Sequence, residues 1–138
     1  MVRSEVHEPP TVARGKGLYT QAIAVDAASV EKLVFISGQV AWDATGELVG
    51  RNDLKRQVVQ VYENLRSLAE SAGGSLDSIV QLRTYLTNRA LIPQFAEIRK
   101  ELYPELFPGG RYPTNTLLAV EGLAHPDFLI EVEAIAVI

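Results

Sequence analysis

The chain has 138 residues, 47% of them apolar and 22% charged, with a formal net charge of −4. These values are typical of one globular domain with a hydrophobic core, and the acidic balance disfavours nucleic acid as a partner because nucleic-acid binders usually carry a basic patch. The absence of cysteine excludes disulfides and thiolate metal sites, and with only two histidines we expect no metal.

The N-terminal region carries no recognisable targeting segment. Its first ten residues lack the apolar stretch of a secretory signal peptide. No apolar run in the chain reaches membrane-spanning length, so we expect a cytoplasmic protein without a membrane partner. Proline and glycine punctuate residues 1–17, which predicts a flexible N-terminal arm followed by a single domain over residues 18–138.

The first half of the domain predicts two strands and a helix. Residues 20–25 form the first predicted strand, and residues 30–39 form the second around the apolar run 33–36. Residues 54–72 place apolar side chains at the i, i+3, i+4 spacing of an amphipathic helix. Asp53 is suited to cap its start, and Gly73 and Gly74 are suited to end it.

The second half predicts a strand, a helix and two further strands. Residues 79–86 alternate, with Gln81, Arg83 and Tyr85 on the less apolar face. A second helix starts near Pro93, a residue that favours a first helical turn, and is broken at Pro104. Residues 114–120 and 129–138 are the last strands. The order β-β-α-β-α-β-β predicts an α+β domain with two helices on one face of a mixed sheet.

The closing strand carries two carboxylates on one face. Because side chains alternate along a strand, even-numbered residues 130–136 form an apolar core face, whereas Glu131 and Glu133 share the other face with Leu129 and Ile135. A partly buried carboxylate pair is costly unless it is paired or used. Together with the less apolar face of the predicted strand over residues 79–86, this mixed face predicts a cleft or a contact with another subunit.

Familiar catalytic and phosphate-binding motifs are absent. The sequence contains no G-x-G-x-x-G or Walker loop and no G-x-S-x-G elbow, and no serine–histidine–aspartate triad is evident. Arg111, in a Gly-Gly-Arg-Tyr-Pro loop, is either a clamp for a carboxylate or an ordinary solvated arginine. We interpret Arg83 and Glu133 as an ion pair at an oligomer interface.

Four segments together resemble the Rid (YjgF) family of small proteins. They are Tyr19-Thr20-Gln21-Ala22, the Ser-Gly-Gln strand over residues 34–40, the first-helix pattern over residues 57–74, and the closing strand over residues 130–136. The resemblance extends from about residue 17 to the end and agrees with the element order above. It implies a chorismate-mutase-like α+β fold and a homotrimer with clefts between its subunits.

The resemblance also implies a chemistry. Active deaminases of this family hydrolyse unstable imines or enamines such as 2-aminoacrylate to a keto acid and ammonia, and they need no cofactor. Water must add to the C=N carbon, and a carboxylate can hold and deprotonate it. Glu131 matches the family glutamate assigned that role. Tyr19 and the backbone of Ser37 and Gly38 match positions that line the cleft.

The sequence differs from the family pattern at the arginine that binds the substrate carboxylate. Active imine deaminases carry arginine two residues after the proline that opens the fourth strand, whereas this chain reads Pro113-Thr114-Asn115. A neutral amide cannot replace a bidentate guanidinium at full strength. A family asparagine on the second helix is also lost, with Arg99 at or near its position. Arg99 and Arg111 are the candidate substitutes, and Arg111 requires its loop to fold back.

We therefore predict a Rid-type hydrolase or deaminase that acts on a small imine, enamine or related metabolite between subunits, with specificity shifted by Asn115. An aminomuconate-type compound would fit. The alternative is a non-catalytic small-ligand-binding or interaction trimer on the same scaffold. RNA cleavage, sometimes attached to this family by name, is disfavoured by the acidic balance and the lack of a basic surface with interleaved aromatic residues.

Overall fold

A four-stranded mixed sheet covered by two helices organises the chain. The computed structural model describes residues 1–138. The elements are β1 (Ser4–His7), β2 (Ala22–Val25), β3 (Leu33–Gln39), α1 (Leu54–Ser71), β4 (Ile79–Leu86), α2 (Ile92–Leu106), β5 (Thr114–Ala119) and β6 (Ile130–Val137). The main sheet has the order β3-β6-β4-β5, and only β4 and β5 are parallel. The predicted α+β class, with both helices on a mixed sheet, is confirmed.

The N-terminal strands lie outside the main sheet. β2, the first strand predicted from the sequence, pairs with β1 in a separate antiparallel sheet in which Ser4 is opposite Val25. β1 was not predicted, because its sequence Ser-Glu-Val-His is short, largely exposed and shows no marked alternation. It falls within residues 1–17, the expected flexible arm, so part of that segment is anchored by strand pairing. The flexibility of the remainder stays a prediction.

The helix ends follow local signals, with one exception. The side chain of Asp53 accepts a hydrogen bond from the backbone N–H of Arg56 at 3.0 Å, which confirms the predicted cap of α1. The predicted break of α2 at Pro104 is wrong, since the helix continues to Leu106. The fully buried rings of Tyr103 and Phe107 flank this proline and hold the last turn in place. Neither helix is long and apolar enough to cross a membrane.

The two faces of the main sheet have different environments. Even-numbered residues 130–136 of β6 are buried against the helices, as predicted. No helix covers the opposite face. Two apolar side chains of β3 remain exposed there, Leu33 at 56% and Phe35 at 73%. Within one chain this open face is therefore an uncovered, partly apolar surface that also carries Glu131 and Glu133.

Candidate functional site

A bulge in β3 places a glycine against the predicted catalytic glutamate. The pairing of β3 with β6 shifts register between Ile36 and Gln39, so one residue of β3 is extra. Bulges are common next to active sites, where they redirect the chain. A Cβ added at Gly38 would lie 2.0 Å from Oε1 of Glu131. The observed position of this carboxylate therefore requires glycine at residue 38.

The two carboxylates of β6 have different partners. Oε1 of Glu133 accepts hydrogen bonds from Nη1 of Arg83 at 3.2 Å and from the Tyr85 hydroxyl at 2.9 Å. Arg83 and Glu133 form an ion pair within one chain, and the placement of this pair at an oligomer interface stays a prediction. Glu131 is half-buried and takes part in none of the ion pairs of the chain. Glu133 is thus engaged within the chain, whereas Glu131 has no ion-pair partner there.

Tyr85, which the sequence places on this face without indicating a role, also belongs to this cluster. Its hydrogen bond to Glu133 raises the pKa of the phenol, and desolvation acts in the same direction. The hydroxyl therefore stays protonated at neutral pH and keeps Glu133 oriented. Alternation along β4 predicted that Tyr85 shares a face with Arg83, but its hydrogen bond to Glu133 could not be predicted from that pattern.

Two neighbouring cavities lie along the main sheet. The first, of about 250 Å³, is lined by Ser37 and by the ion-paired glutamate of β6. The second, of about 520 Å³, lies at the start of β5 and is lined by Tyr19 and Asn115. Gln81 and Ile135 line both cavities, so the two are adjacent. Of the predicted site residues, Ser37 lines the first cavity, Tyr19 and Asn115 line the second, and Glu131 lines neither.

Asn115 and Glu131 lie on opposite faces of the sheet within one chain. Asn115 is paired with Leu82, and its Oδ1 accepts a hydrogen bond from the hydroxyl of the fully buried Thr84 at 2.9 Å. It therefore faces the helices. Glu131 is paired with Tyr85 on the open face. A cleft that uses both side chains needs a second subunit.

Arg111 is bound away from Glu131. Its Nη1 donates to the Ser4 hydroxyl, and its Nη2 donates to the carbonyl oxygen of Asp77 at 3.2 Å. Asp77 lies before the start of β4, whereas Tyr85, opposite Glu131, lies near its end, roughly 20 Å further along a strand. Within one chain Arg111 therefore ties β1 to the segment before β4 and does not reach Glu131.

Tyr19 and Arg99 are brought together by a glycine-containing segment. A Cβ at Gly15 would lie 2.5 Å from the Tyr19 hydroxyl, and one at Gly17 would lie 3.3 Å from the Tyr19 ring and 3.4 Å from Nη2 of Arg99. Arg99 is 6% exposed, and its guanidinium carbon lies 4.7 Å from the ring centre of Phe95. The backbone of Gly17 thus lies next to both the Tyr19 ring and the Arg99 guanidinium.

Comparisons with known proteins cover almost the whole chain. The sequence model of the family described as Endoribonuclease L-PSP matches residues 13–138. A RutC family protein of Pyrococcus abyssi is 38% identical over 121 residues, which are 87% of this chain and 86% of that protein. The 3-aminoacrylate deaminase RutC of Acinetobacter baylyi is 30% identical over 112 residues, 81% of this chain and 84% of that protein.

Solved structures share the fold over the full length. YyfB from Yersinia pestis, a protein of unknown function in the conserved Rid family, superimposes with a TM-score of 0.84 at 33% identity and covers 98% of both chains. RidA from an Antarctic Psychrobacter gives a TM-score of 0.65 at 29% identity, covering 97% of this chain and 99% of that one. E. coli TdcF with bound serine gives a TM-score of 0.68 at 28% identity, covering 96% of this chain and 98% of that one.

Proposed function

The chain belongs to the Rid (YjgF) family, also described as Endoribonuclease L-PSP, and from this premise we propose that it hydrolyses a small imine or enamine. The observation that carries the proposal is the unequal use of the two carboxylates of β6. Glu133 is held by Arg83 and Tyr85, whereas Glu131 lies beside Gly38 without an ion-pair partner. A half-buried carboxylate is costly unless it is used, and general-base catalysis uses it.

The reaction assigns one task to Glu131. It accepts a proton from a water molecule as the oxygen adds to the C=N carbon, and the resulting carboxylic acid returns a proton to the nitrogen. The carbinolamine then collapses to a carbonyl compound and ammonia. An enamine substrate first takes up a proton at carbon to become the imine. General acid–base catalysis of this type contributes about 10²- to 10⁴-fold to the rate.

The substrate class follows from relatives and from residue 115. The RutC relative is named for 3-aminoacrylate, which is itself an enamine, and TdcF is described with bound serine. Both molecules are small carboxylates that carry an amino group. The uncharged Asn115 supports a specificity different from that of relatives with arginine at this position.

The proposed assembly is a homotrimer with its sites at the subunit boundaries. The uncovered face, with Phe35 exposed at 73%, supports an interface at this surface. The opposite placement of Asn115 and Glu131 supports a site that two subunits share.

The alternative is a non-catalytic trimer that binds a small ligand or a partner. The loss of the arginine at residue 115 favours it, because the ordinary clamp for a substrate carboxylate is missing. RNA cleavage gains no support from the net charge of −4.

Measuring ammonia release distinguishes the proposed hydrolase from the non-catalytic binding trimer. The purified protein is mixed with enzymatically generated 2-aminoacrylate, with 3-aminoacrylate and with an aminomuconate-type enamine, and the release of ammonia is followed. Acceleration over the protein-free reaction, lost in Glu131→Gln, is the expected result. If ammonia is released from all three compounds only at the protein-free rate, the proposed hydrolase is wrong and the non-catalytic binding protein is favoured.

A further inference from the structure

Arg99 carries a buried positive charge that no group of the chain neutralises. It is 6% exposed, and its enclosed Nε and Nη1 atoms donate no hydrogen bond. It also takes part in none of the ion pairs of the chain. An unpaired buried charge is among the least favourable groups in a protein interior. This arrangement points to an anion from outside the chain.

The surroundings of Arg99 restrict the shape of that anion. The guanidinium carbon lies 4.7 Å from the ring centre of Phe95 and 5.9 Å from that of Tyr103. Aromatic rings contact the face of a guanidinium, whereas its N–H groups point outward in the plane and match a carboxylate bidentately. A small organic carboxylate therefore fits these donors.

The route to Arg99 passes Gly17. Nη2 of Arg99 lies 3.4 Å from the place where a Gly17 side chain would begin, and glycine leaves that place empty. A cavity of about 190 Å³ lies over this segment and is lined by Gly15, Gly17, Tyr19 and Gln21, among others. The charged side chains of Glu8 and Arg14 also line this cavity, and Gly17 is the lining residue that lies next to the guanidinium of Arg99.

We propose that Arg99 binds the carboxylate of a small organic anion that enters over Gly17. The inference rests on the proposed function only for the identity of that anion as the substrate. Arg99 lies on α2, and Asn115 faces the helices through its hydrogen bond with Thr84. The positive charge absent at residue 115 is thus supplied from the helix layer. A carboxylate held there is displaced from β5, which shifts the range of substrates.

Calorimetric titration with pyruvate tests the proposal, with its uncharged ester methyl pyruvate as the matched ligand. Pyruvate is expected to bind the wild-type protein, and the ester at least about tenfold more weakly. Arg99→Met should weaken pyruvate binding about tenfold or more, because a charge-assisted hydrogen bond is lost. The pyruvate affinity of Arg99→Lys should lie between those of the wild type and Arg99→Met. The control is Arg89→Met, which removes an exposed arginine just before α2 and should bind as the wild type does.

Two further measurements keep the test decisive. Arg99→Met should melt at or above the wild-type temperature, because it removes an unpaired buried charge. Gly17→Val retains the arginine but places a side chain against its guanidinium, and it should also weaken pyruvate binding. Equal pyruvate affinity in Arg99→Met and the wild type, equal binding of pyruvate and its ester, or no pyruvate binding would each overturn the proposal.

The binding test is independent of turnover. Arg99-dependent pyruvate binding in a protein that hydrolyses no imine would support the anion site and reject the proposed hydrolase. If the protein hydrolyses an imine but Arg99→Met does not change its pyruvate affinity, the proposed hydrolase is supported and the anion site is rejected.

Discussion

Replacing Gly38 with alanine should disable the site while leaving the fold intact. A Cβ at this position would lie 2.0 Å from Oε1, 2.8 Å from Cδ and 2.9 Å from Cγ of Glu131. Ordinary contacts of a Cβ begin at 3.4 Å, so the carboxylate oxygen must move by about 1.4 Å. A misplacement of about 1 Å in a catalytic group can lower activity about 10²-fold, and we expect a loss of that order.

The effect on stability should be small. Gly38 is not among the glycines with positive φ, so alanine can adopt its backbone conformation. Replacing a strand glycine with alanine gains roughly 0.5–1 kcal/mol, and forcing a side chain off its rotamer loses about as much. We therefore expect a free energy of unfolding within about 1 kcal/mol of the wild-type value.

The assay is the rate of ammonia release, on the substrate that the wild-type protein hydrolyses fastest, together with a thermal melt. Gly122→Ala is the matched control, because a Cβ at Gly122 meets nothing within 4 Å. It should keep both activity and melting temperature. A Gly38→Ala protein with wild-type activity would show that the position of Glu131 beside Gly38 does not matter for the reaction, which would refute this reasoning.

Three other predictions address assembly, specificity and pH. Light scattering at micromolar concentration should give the mass of a trimer, and a clean monomer would remove the shared-cleft model. Hydrolysis of 2-aminoacrylate should be slower than in arginine-bearing relatives, and Asn115→Arg should raise it about tenfold, whereas Asn115→Gln should not. Burial raises the pKa of Tyr62 and Tyr103, whose hydroxyls lie 2.6 Å apart. The unfolded chain therefore loses these protons first, and the free energy of unfolding should fall as pH rises above about 10. Thermal melts should show a shallower decline for the Tyr62→Phe/Tyr103→Phe variant, and equal slopes would contradict this assignment.

Features with local causes could be predicted from the sequence. The alternation over residues 130–136 placed the core face of β6 correctly, because side-chain direction along a strand depends only on the strand itself. The cap at Asp53 likewise depends on the next three residues. Pro104 was misjudged because the aromatic residues on either side of it are held by distant parts of the core.

The site depends on pairings between distant segments, and these could not be read from the sequence. The sequence indicated both Asn115 and Glu131, yet only the registers of β5 and β6 against β4 reveal that they face opposite ways. The approach of Gly38 to Glu131 likewise depends on a bulge between two strands distant in sequence. Tyr19 and Arg99 were identified separately, and their proximity depends on how residues 15–19 lie over α2.

The Glu131→Gln variant separates catalysis from structure. It keeps the shape of the side chain and removes its charge, and because Glu131 forms no ion pair within the chain, no partner is left unpaired. We predict an unchanged mass and melting temperature, with ammonia release slowed about 10²-fold or more. A lower melting temperature or dissociation would indicate a structural role across subunits. A stable variant that hydrolyses the same substrate at the wild-type rate would contradict Glu131 as the base.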